Sequence, residues 1–452
     1  MIIKKSIGIF SIFILLVIFF AAVWPLIKSG SIIDYDGGAA VNTVNYIIYD
    51  NNYHYGNSRP PGCPVYEFVS ALIYYPFKNI LSPKYTRIFM QYFSLLLSML
   101  TIAVFYLKIK NLDKNPLLCF LAVLTMGLHP VFIWLSFSSV EEAFALFLMI
   151  LAWKLAENNK TRIVAVILTA MALASKVSSF ALIPLILSEF LDEKDTANPY
   201  KIIKKTAIPL GSIIFLGLLL FMPVLVANNM NFKKVFTTIH YGTPPADRPY
   251  IGTSLGRITI LWWIPVSIWI IGFYLIKMIK IKKIPEINKY DFFILSFLLL
   301  ILSPGLLLLK LTTVVFLIYM LVFYYRQEKN NPEFMLNYWK NIFTGAAFAL
   351  SLLAPLLAPY SRSFFYFTLI PLICLLILRF KNIYLWAVMI IISFLPMFFY
   401  YHIDLQAMAF NRHGFYRAHI NNRDNDYNDF GYFNSNPKTR IIYYPWSKMK
   451  KK

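Results

Sequence analysis

The chain has 452 residues, of which 59% are hydrophobic and only 14% are charged, and its mean hydropathy is +0.61. Many apolar runs approach the ~20 residues that a helix needs to cross a bilayer, and lipid requires such runs to be helical because it cannot satisfy open backbone hydrogen bonds. The 3 cysteines are too few and too scattered for a disulfide framework or a zinc knuckle. We therefore expect an all-α polytopic membrane protein.

The formal net charge is +22, and the distribution of the basic residues along the chain indicates a membrane topology. Lysine and arginine concentrate in short segments that alternate with segments poor in basic residues, which is the positive-inside pattern of a multi-pass protein with a cytoplasmic N-terminus. The basic residues therefore favour anionic membrane lipids over nucleic acid as partners. The basic segments include Lys4 and Lys5, then Lys108, Lys110 and Lys114, then Lys154, Lys160 and Arg162, then Lys201, Lys204 and Lys205, and later Lys282 and Lys340.

The predicted elements begin with an uncleaved anchor at 7–27, because no small-residue cleavage site follows it. A large first extracytoplasmic loop covers 28–85 and contains an interfacial helix at 65–77, and a second outer loop covers 228–257. The total is about eleven to thirteen membrane-spanning helices. After the anchor they are predicted at 87–107, 117–137, 138–155, 162–178, 179–190, 206–227, 258–277, 292–309, 312–325, 341–357, 364–378 and 383–401.

Two local features are predicted inside these spans. The 117–137 span turns at His129-Pro130, where His129 caps a helix end, and two short helices meet near Lys176. Residues 1–401 form one transmembrane domain. The tail at 402–452 is too short to bury its own core, and we place it outside the cell although its basic end would also suit the cytoplasm.

The first outer loop carries the residues that point to chemistry. Asp34 and Asp36 lie just beyond the first span, followed by Tyr55, Arg59 and Glu67. Acids so close to a membrane helix are not needed for crossing the bilayer, so we interpret them as the start of an active site. A carboxylate at a helix N-terminus is held ionised by the helix dipole, which suits a base or a metal ligand, and a divalent cation is therefore an open option.

The order of motifs resembles the GT-C superfamily of integral-membrane glycosyltransferases, especially protein mannosyltransferases and aminoarabinose transferases. The resemblance starts with DYDGGAAVNTVNYI and YGNSRPPGCPVYEFVSALIYYPF, and continues through KYTRIFMQYFSLLLSML and LHPVFIWLSFSSVEEAFALFLMILAWKL. It ends with TAMALASKVSSFALIPL and YSRSFFYFTLIPLICLL. It covers residues 1–190 well, is weak over 191–355, and is faint near 360–375. The family's second acidic residue is Gly37 here, so register leaves both Asp34 and Asp36 open as the catalytic residue; the D-G-G pattern favours Asp36.

The resemblance implies an inverting transfer of a sugar from a polyprenyl-phosphate donor to a lipid, glycan or protein acceptor at the extracytoplasmic face. A carboxylate would take the acceptor proton, basic side chains would hold the leaving phosphate, and aromatic rings would stack on the sugar. Beyond Asp34 and Asp36, the implied substrate-binding residues are Arg59, Tyr55, Glu67, Arg87, Glu141, Glu142, Lys176, His240 and Arg362.

Structural roles compete at each position. The aspartates could cap a helix, Arg87 and Arg362 could be interfacial side chains that extend to water, and Glu141 and Glu142 could favour a helix start. Lys176 is harder to explain in this way, because a lysine among apolar residues is costly unless it is paired or near water. The competing functions are a lipid-linked glycan transporter or flippase and a glycan polymerase. A transporter should show charged or helix-breaking positions near mid-membrane and often pseudo-repeated halves, neither of which is evident in the sequence. A polymerase should carry a large arginine- and histidine-rich loop late in the chain.

Overall fold

The computed structural model describes residues 2–28, 35–51, 53, 62–81, 83, 85–113, 115–192, 198–232, 332–357, 367–378, 387, 390 and 391. Every regular element among these residues is helical, as the composition predicts. The predicted spans at 258–277, 292–309 and 312–325 lie outside the described residues, and so does the tail at 402–452.

The helices of the first part are α1 (Ile2–Lys28), α2 (Tyr35–Tyr49), α3 (Pro64–Tyr74), α4 (Tyr85–Leu112), α5 (Pro116–Gly127), α6 (Pro130–Phe137) and α7 (Glu142–Ala156). They are followed by α8 (Arg162–Ser175), a 3₁₀ segment (Val177–Leu182), α9 (Ile183–Leu187), α10 (Pro199–Leu220), α11 (Met222–Ala227), α12 (Pro332–Leu357) and α13 (Leu369–Leu378). The predicted spans that fall on described residues are therefore helical, with ends that differ from prediction by several residues.

Two helices, Tyr85–Leu112 and Tyr200–Leu220, are long and apolar enough to cross a membrane. The α5–α6 pair would be a third if it forms one bent span. The described part of the chain thus supports a membrane protein, while the full number of spans stays a prediction.

The break between α5 and α6 confirms the predicted turn at His129-Pro130. Proline lacks an amide hydrogen and disfavours helical geometry in the residue before it, so His129 is extended and the two helices differ in direction by 66°. The His129 Nδ1 atom accepts a hydrogen bond from the Val131 amide at 3.2 Å. The side chain therefore caps α6, as predicted.

α4 is the centre of the bundle and packs against α1, α5, α6 and α7. It runs parallel to α7, because Phe93 contacts Phe144 near the start of both helices and Lys108 contacts Glu157 near the end of both. We name the two ends of the bundle the Arg87 end and the Lys108 end. α8 folds back along α7 after a turn at Glu157–Thr161, so it runs toward the Arg87 end.

The inward face of α4 carries a stripe of mostly polar side chains among buried apolar ones, whereas its outward face presents large apolar side chains such as Leu96 and Leu100. The members of this stripe follow one another at spacings of four and three residues, which places them on one line along the helix. The apolar exterior is the arrangement that lipid favours and water does not. The stripe consists of Arg87, Gln91, Ser94, Ser98, Thr101, Phe105 and Lys108.

The placement of Lys108 in a cytoplasmic loop after a span ending at Leu107 is wrong. α4 continues to Leu112, and the Lys108 side chain is fully buried. Its Nζ atom lies 2.6 Å from Glu157 Oε1 and 2.8 Å from Glu189 Oε1, and 4.3 Å from the centroid of the Trp153 ring. The helix can include a buried lysine because two carboxylates and an aromatic face compensate for its lost hydration.

Glu189 also connects this end to a distant part of the chain. Its Oε2 atom accepts a hydrogen bond from Lys340 Nζ at 3.1 Å, which ties α12 to α4. The Trp153 indole donates to Glu189 Oε1 at 3.1 Å. We call Lys108, Trp153, Glu157, Glu189 and Lys340 the Lys108 cluster.

Candidate functional site

Three charged side chains meet inside the bundle toward the Arg87 end, and we call them the Lys176 triad. The Lys176 Nζ atom lies 2.8 Å from Glu141 Oε1 and also contacts Glu142 Oε1. The exposed fractions are 6% for Lys176, 1% for Glu141 and 0% for Glu142. These three predicted residues are therefore brought together, although 34 and 35 residues of chain separate the partners.

The helix ends explain where the triad forms. α7 begins at Glu142 with Glu141 as its N-cap, and α8 ends at Ser175 with Lys176 as its C-cap. Because α8 folds back along α7, the positive end of one helix dipole lies beside the negative end of the other. Carboxylates are favoured at the first end and an ammonium at the second. The ion pairs add to this and offset the cost of burying three charges.

Lys176 interrupts the helical path. It is extended, with φ −149° and ψ 108°, between α8 and the following 3₁₀ segment. Its amide still donates to the Ala172 carbonyl at 2.8 Å, so only one residue leaves the helix. The predicted meeting of two short helices near Lys176 is confirmed.

α3 borders the triad with its polar face turned inward. Glu67 is buried and accepts a hydrogen bond from the Tyr53 hydroxyl at 3.0 Å, whereas Leu72 and Phe68 point outward. Tyr66 is fully buried, and its ring centroid lies 5.8 Å from that of Phe144 in the first turn of α7. Burial, together with the nearby Glu141 carboxylate, raises the pKa of the Tyr66 phenol well above its usual range.

Arg87 lies in the first turn of α4 and is only 7% exposed. One helical turn later, the Gln91 side chain donates to the Phe137 carbonyl at 3.0 Å, which fixes this face of α4 against the segment that leads into α7. A guanidinium that merely extends to the interface would be more exposed. The burial of Arg87 therefore favours an internal role over a surface one.

α2 carries the favoured catalytic aspartate near its beginning. Asp36 is the second residue of the helix, so the D-G-G sequence does open a helix and the dipole favours an ionised carboxylate there. The other half of α2 is anchored beside α4: the Thr86 hydroxyl donates to Asn45 Oδ1 at 2.6 Å, and the Tyr49 hydroxyl donates to the Leu81 carbonyl at 3.1 Å. α2 thus belongs to the Arg87 end.

Six of the predicted site residues fall on residues that the structure describes, and five lie outside them. Among the described residues, the Arg87 end combines Glu67, Arg87, Glu141, Glu142 and Lys176, with the backbone of Asp36 on a helix that packs against the same end. The predicted site residues that lie outside the described residues are Asp34, Tyr55, Arg59, His240 and Arg362.

Tyr66 was missed from the sequence although it lies against the triad. The only available signal was its position beside Glu67 in a short helix, and aromatic residues are too common in this chain to single one out. The part of the chain that the structure describes contains no group of three or more histidine, cysteine, aspartate or glutamate residues that could hold a metal ion. A divalent cation stays an open option.

Comparisons with known proteins do not identify the chain. No protein-family model matches it, and a search of curated proteins found no significant match.

Proposed function

We propose that this chain is a membrane glycosyltransferase. It would move a sugar from a polyprenyl-phosphate donor to a lipid, glycan or protein acceptor at the extracytoplasmic face of the plasma membrane. The proposal rests on the order of sequence motifs that resembles the GT-C superfamily. Its main structural support is that five residues selected from those motifs are buried at one end of an apolar helix bundle.

Burial of this polar cluster is difficult to explain by stability alone. A buried salt bridge is weak evidence for stability, because apolar residues of similar volume often stabilise a protein as well or better. Charged residues within membrane segments commonly mark a substrate or ion site. The Lys176 triad and Arg87 lie in predicted spans and fit that description, and Glu67 is buried at the same end of the bundle.

The reaction assigns separate tasks to these side chains. A carboxylate, Asp36 in our preferred assignment and Asp34 in the alternative, accepts the acceptor proton while the acceptor oxygen or nitrogen attacks the anomeric carbon. The bond from that carbon to the phosphate oxygen breaks, and the lipid phosphate leaves with the electron pair. Arg87 and the other predicted cations would stabilise its negative charge. Lys176 would first have to share its ammonium with the phosphate, because Glu141 and Glu142 already engage it.

A lipid-linked glycan transporter is the second candidate, and one observation favours it. Transporters often bind substrate at discontinuous helices, and helices of the described bundle are interrupted at His129-Pro130, at Lys176 and at Phe221. The Lys176 break carries an ionisable side chain, which is the feature that a transport site would require.

A transfer assay separates the two functions. Purified full-length protein in proteoliposomes should move radiolabelled sugar from polyprenyl phosphate to acceptors supplied in a membrane extract, releasing free polyprenyl phosphate. Movement of intact donor between leaflets, with no cleavage of the sugar–phosphate bond, would instead support the transporter.

Topology provides an independent test of the proposed orientation. Single cysteines placed at Tyr53 and Gly242, in a background that lacks the native cysteines, should react with an impermeant thiol reagent in intact cells. Cysteines at Lys160 and Lys282 should react only after the cells are opened, because basic segments face the cytoplasm. Labelling of the two lysine positions in intact cells would show that the proposed orientation is the wrong way round.

A further inference from the structure

α10 presents an apolar face that no described element covers. Ile208 and Phe215 are each about two-thirds exposed, at 66% and 67%, and the helix has no charged residue from Thr206 to Leu220. The uncharged part of the helix, 206–220, spans about 22 Å at the rise of an α-helix, which is most of the ~30 Å hydrocarbon core of a bilayer. The length and composition of this face match lipid.

The first turns of α10 expose both apolar and basic side chains on the surface. Tyr200 and Ile203 are 71% and 63% exposed, and Lys201 and Lys204 are exposed beside them. Lys201, Lys204 and Ile208 follow one another at spacings of three and four, so they share one face of the helix. The two ammonium groups therefore stand at the end of the same apolar surface.

A third exposed lysine lies at this end of the bundle. Asp192 contacts Lys205 at 2.8 Å and Arg162 at 3.6 Å, so the starts of α8 and α10 lie together. Lys160 is exposed in the turn just before α8. We call Lys160, Lys201 and Lys204, with Tyr200 and Ile203, the basic edge.

Among the residues that the structure describes, three carboxylates near the basic edge are engaged by other partners: Glu157 and Glu189 by the Lys108 cluster, and Asp192 by Lys205 and Arg162. Lys205 holds the pKa of the Asp192 carboxyl below its usual range through a hydrogen bond. Within the described ranges, Lys160, Lys201 and Lys204 take part in no ion pair.

We propose that the basic edge binds the anionic headgroups of glycerophospholipids, with the acyl chains lying along α10. Lysines beside a tyrosine at the end of a membrane-length helix are typical of the headgroup region. A water-soluble polyanion would match the lysines but would leave Ile208 and Phe215 in water. This inference goes beyond the proposed sugar transfer and does not depend on it.

The test compares lipid retention by wild-type protein and by Lys201→Gln/Lys204→Gln. Each full-length protein is reconstituted in nanodiscs of equimolar phosphatidylcholine and phosphatidylglycerol, released, and examined by native mass spectrometry for retained lipids. Wild type should retain phosphatidylglycerol in preference. The double variant should lose up to about thirtyfold of that preference at low salt, because each lysine near an anionic surface adds attraction that salt screens.

Lys201→Arg/Lys204→Arg is the matched control, since it keeps the charge and should keep the preference. Equal preference in wild type and the glutamine variant would overturn the proposal. Displacement of phosphatidylglycerol by excess inorganic phosphate would assign the edge to free phosphate instead. A protein dimer that retains no lipid would assign the face to a second copy of the chain. None of these measurements uses the sugar donor, so their results test lipid binding independently of the proposed sugar transfer.

Discussion

Asp36→Asn is expected to abolish sugar transfer while expression and donor binding stay close to wild type. The substitution keeps the size and hydrogen bonding of the side chain but removes the base, and a general base typically contributes about 100-fold to 10,000-fold in rate. Asp36 is the second residue of α2, where the helix dipole favours its charged form. Transfer of radiolabelled sugar by purified variants measures the loss, and donor binding by the same preparations shows whether the site is intact.

Asp34→Asn is the matched control, because it makes the same chemical change two residues earlier. We expect it to reduce transfer much less, since that aspartate would only shape the loop or cap its helix. The reverse ranking would move the base to Asp34 and keep the enzyme class. Full activity in both single variants and in the double variant would remove the case for a transferase and favour the transporter.

Local features of the fold were predictable because their causes are local. The break at His129-Pro130 follows from the covalent geometry of proline, and the cap by His129 involves an amide two residues away. The break near Lys176 was predictable because a lysine in an apolar run needs an unusual environment. The opening of α2 at Tyr35 and Asp36 was predicted from the D-G-G motif, and an acid in the first turn suits the helix dipole.

Side-chain partners were not predictable where they depend on how helices pack. Lys108 looked like one of several cytoplasmic loop lysines, because the carboxylates of Glu157 and Glu189 that pair with it lie 49 and 81 residues further along the chain. Lys340 reaches Glu189 across 151 residues. The same limit applied to the Lys176 triad: the sequence selected all three residues, but as phosphate and substrate ligands rather than as partners of one another.

Lys176→Met should destabilise the protein and should also lower sugar transfer per folded molecule. Methionine has nearly the volume of lysine but no charge, so the variant leaves Glu141 and Glu142 without their ammonium in a buried site. Removing one partner of a buried ion pair typically costs about 3–5 kcal/mol. Heating of detergent-purified protein, with the folded fraction followed by size-exclusion chromatography, measures the stability, and transfer is then normalised to that fraction.

Lys108→Met separates a role in the site from a role in folding. Lys108 is also buried and also contacts two carboxylates, but at the opposite end of α4. We expect a comparable loss of stability with normal transfer per folded molecule. Adding Glu142→Gln to Lys176→Met should recover part of the stability, since it removes a buried carboxylate that has lost its ammonium, without restoring transfer. Normal transfer per folded Lys176→Met molecule would limit the triad to holding α7 against α8, and the substrate site would then have to lie nearer to Arg87 and α2.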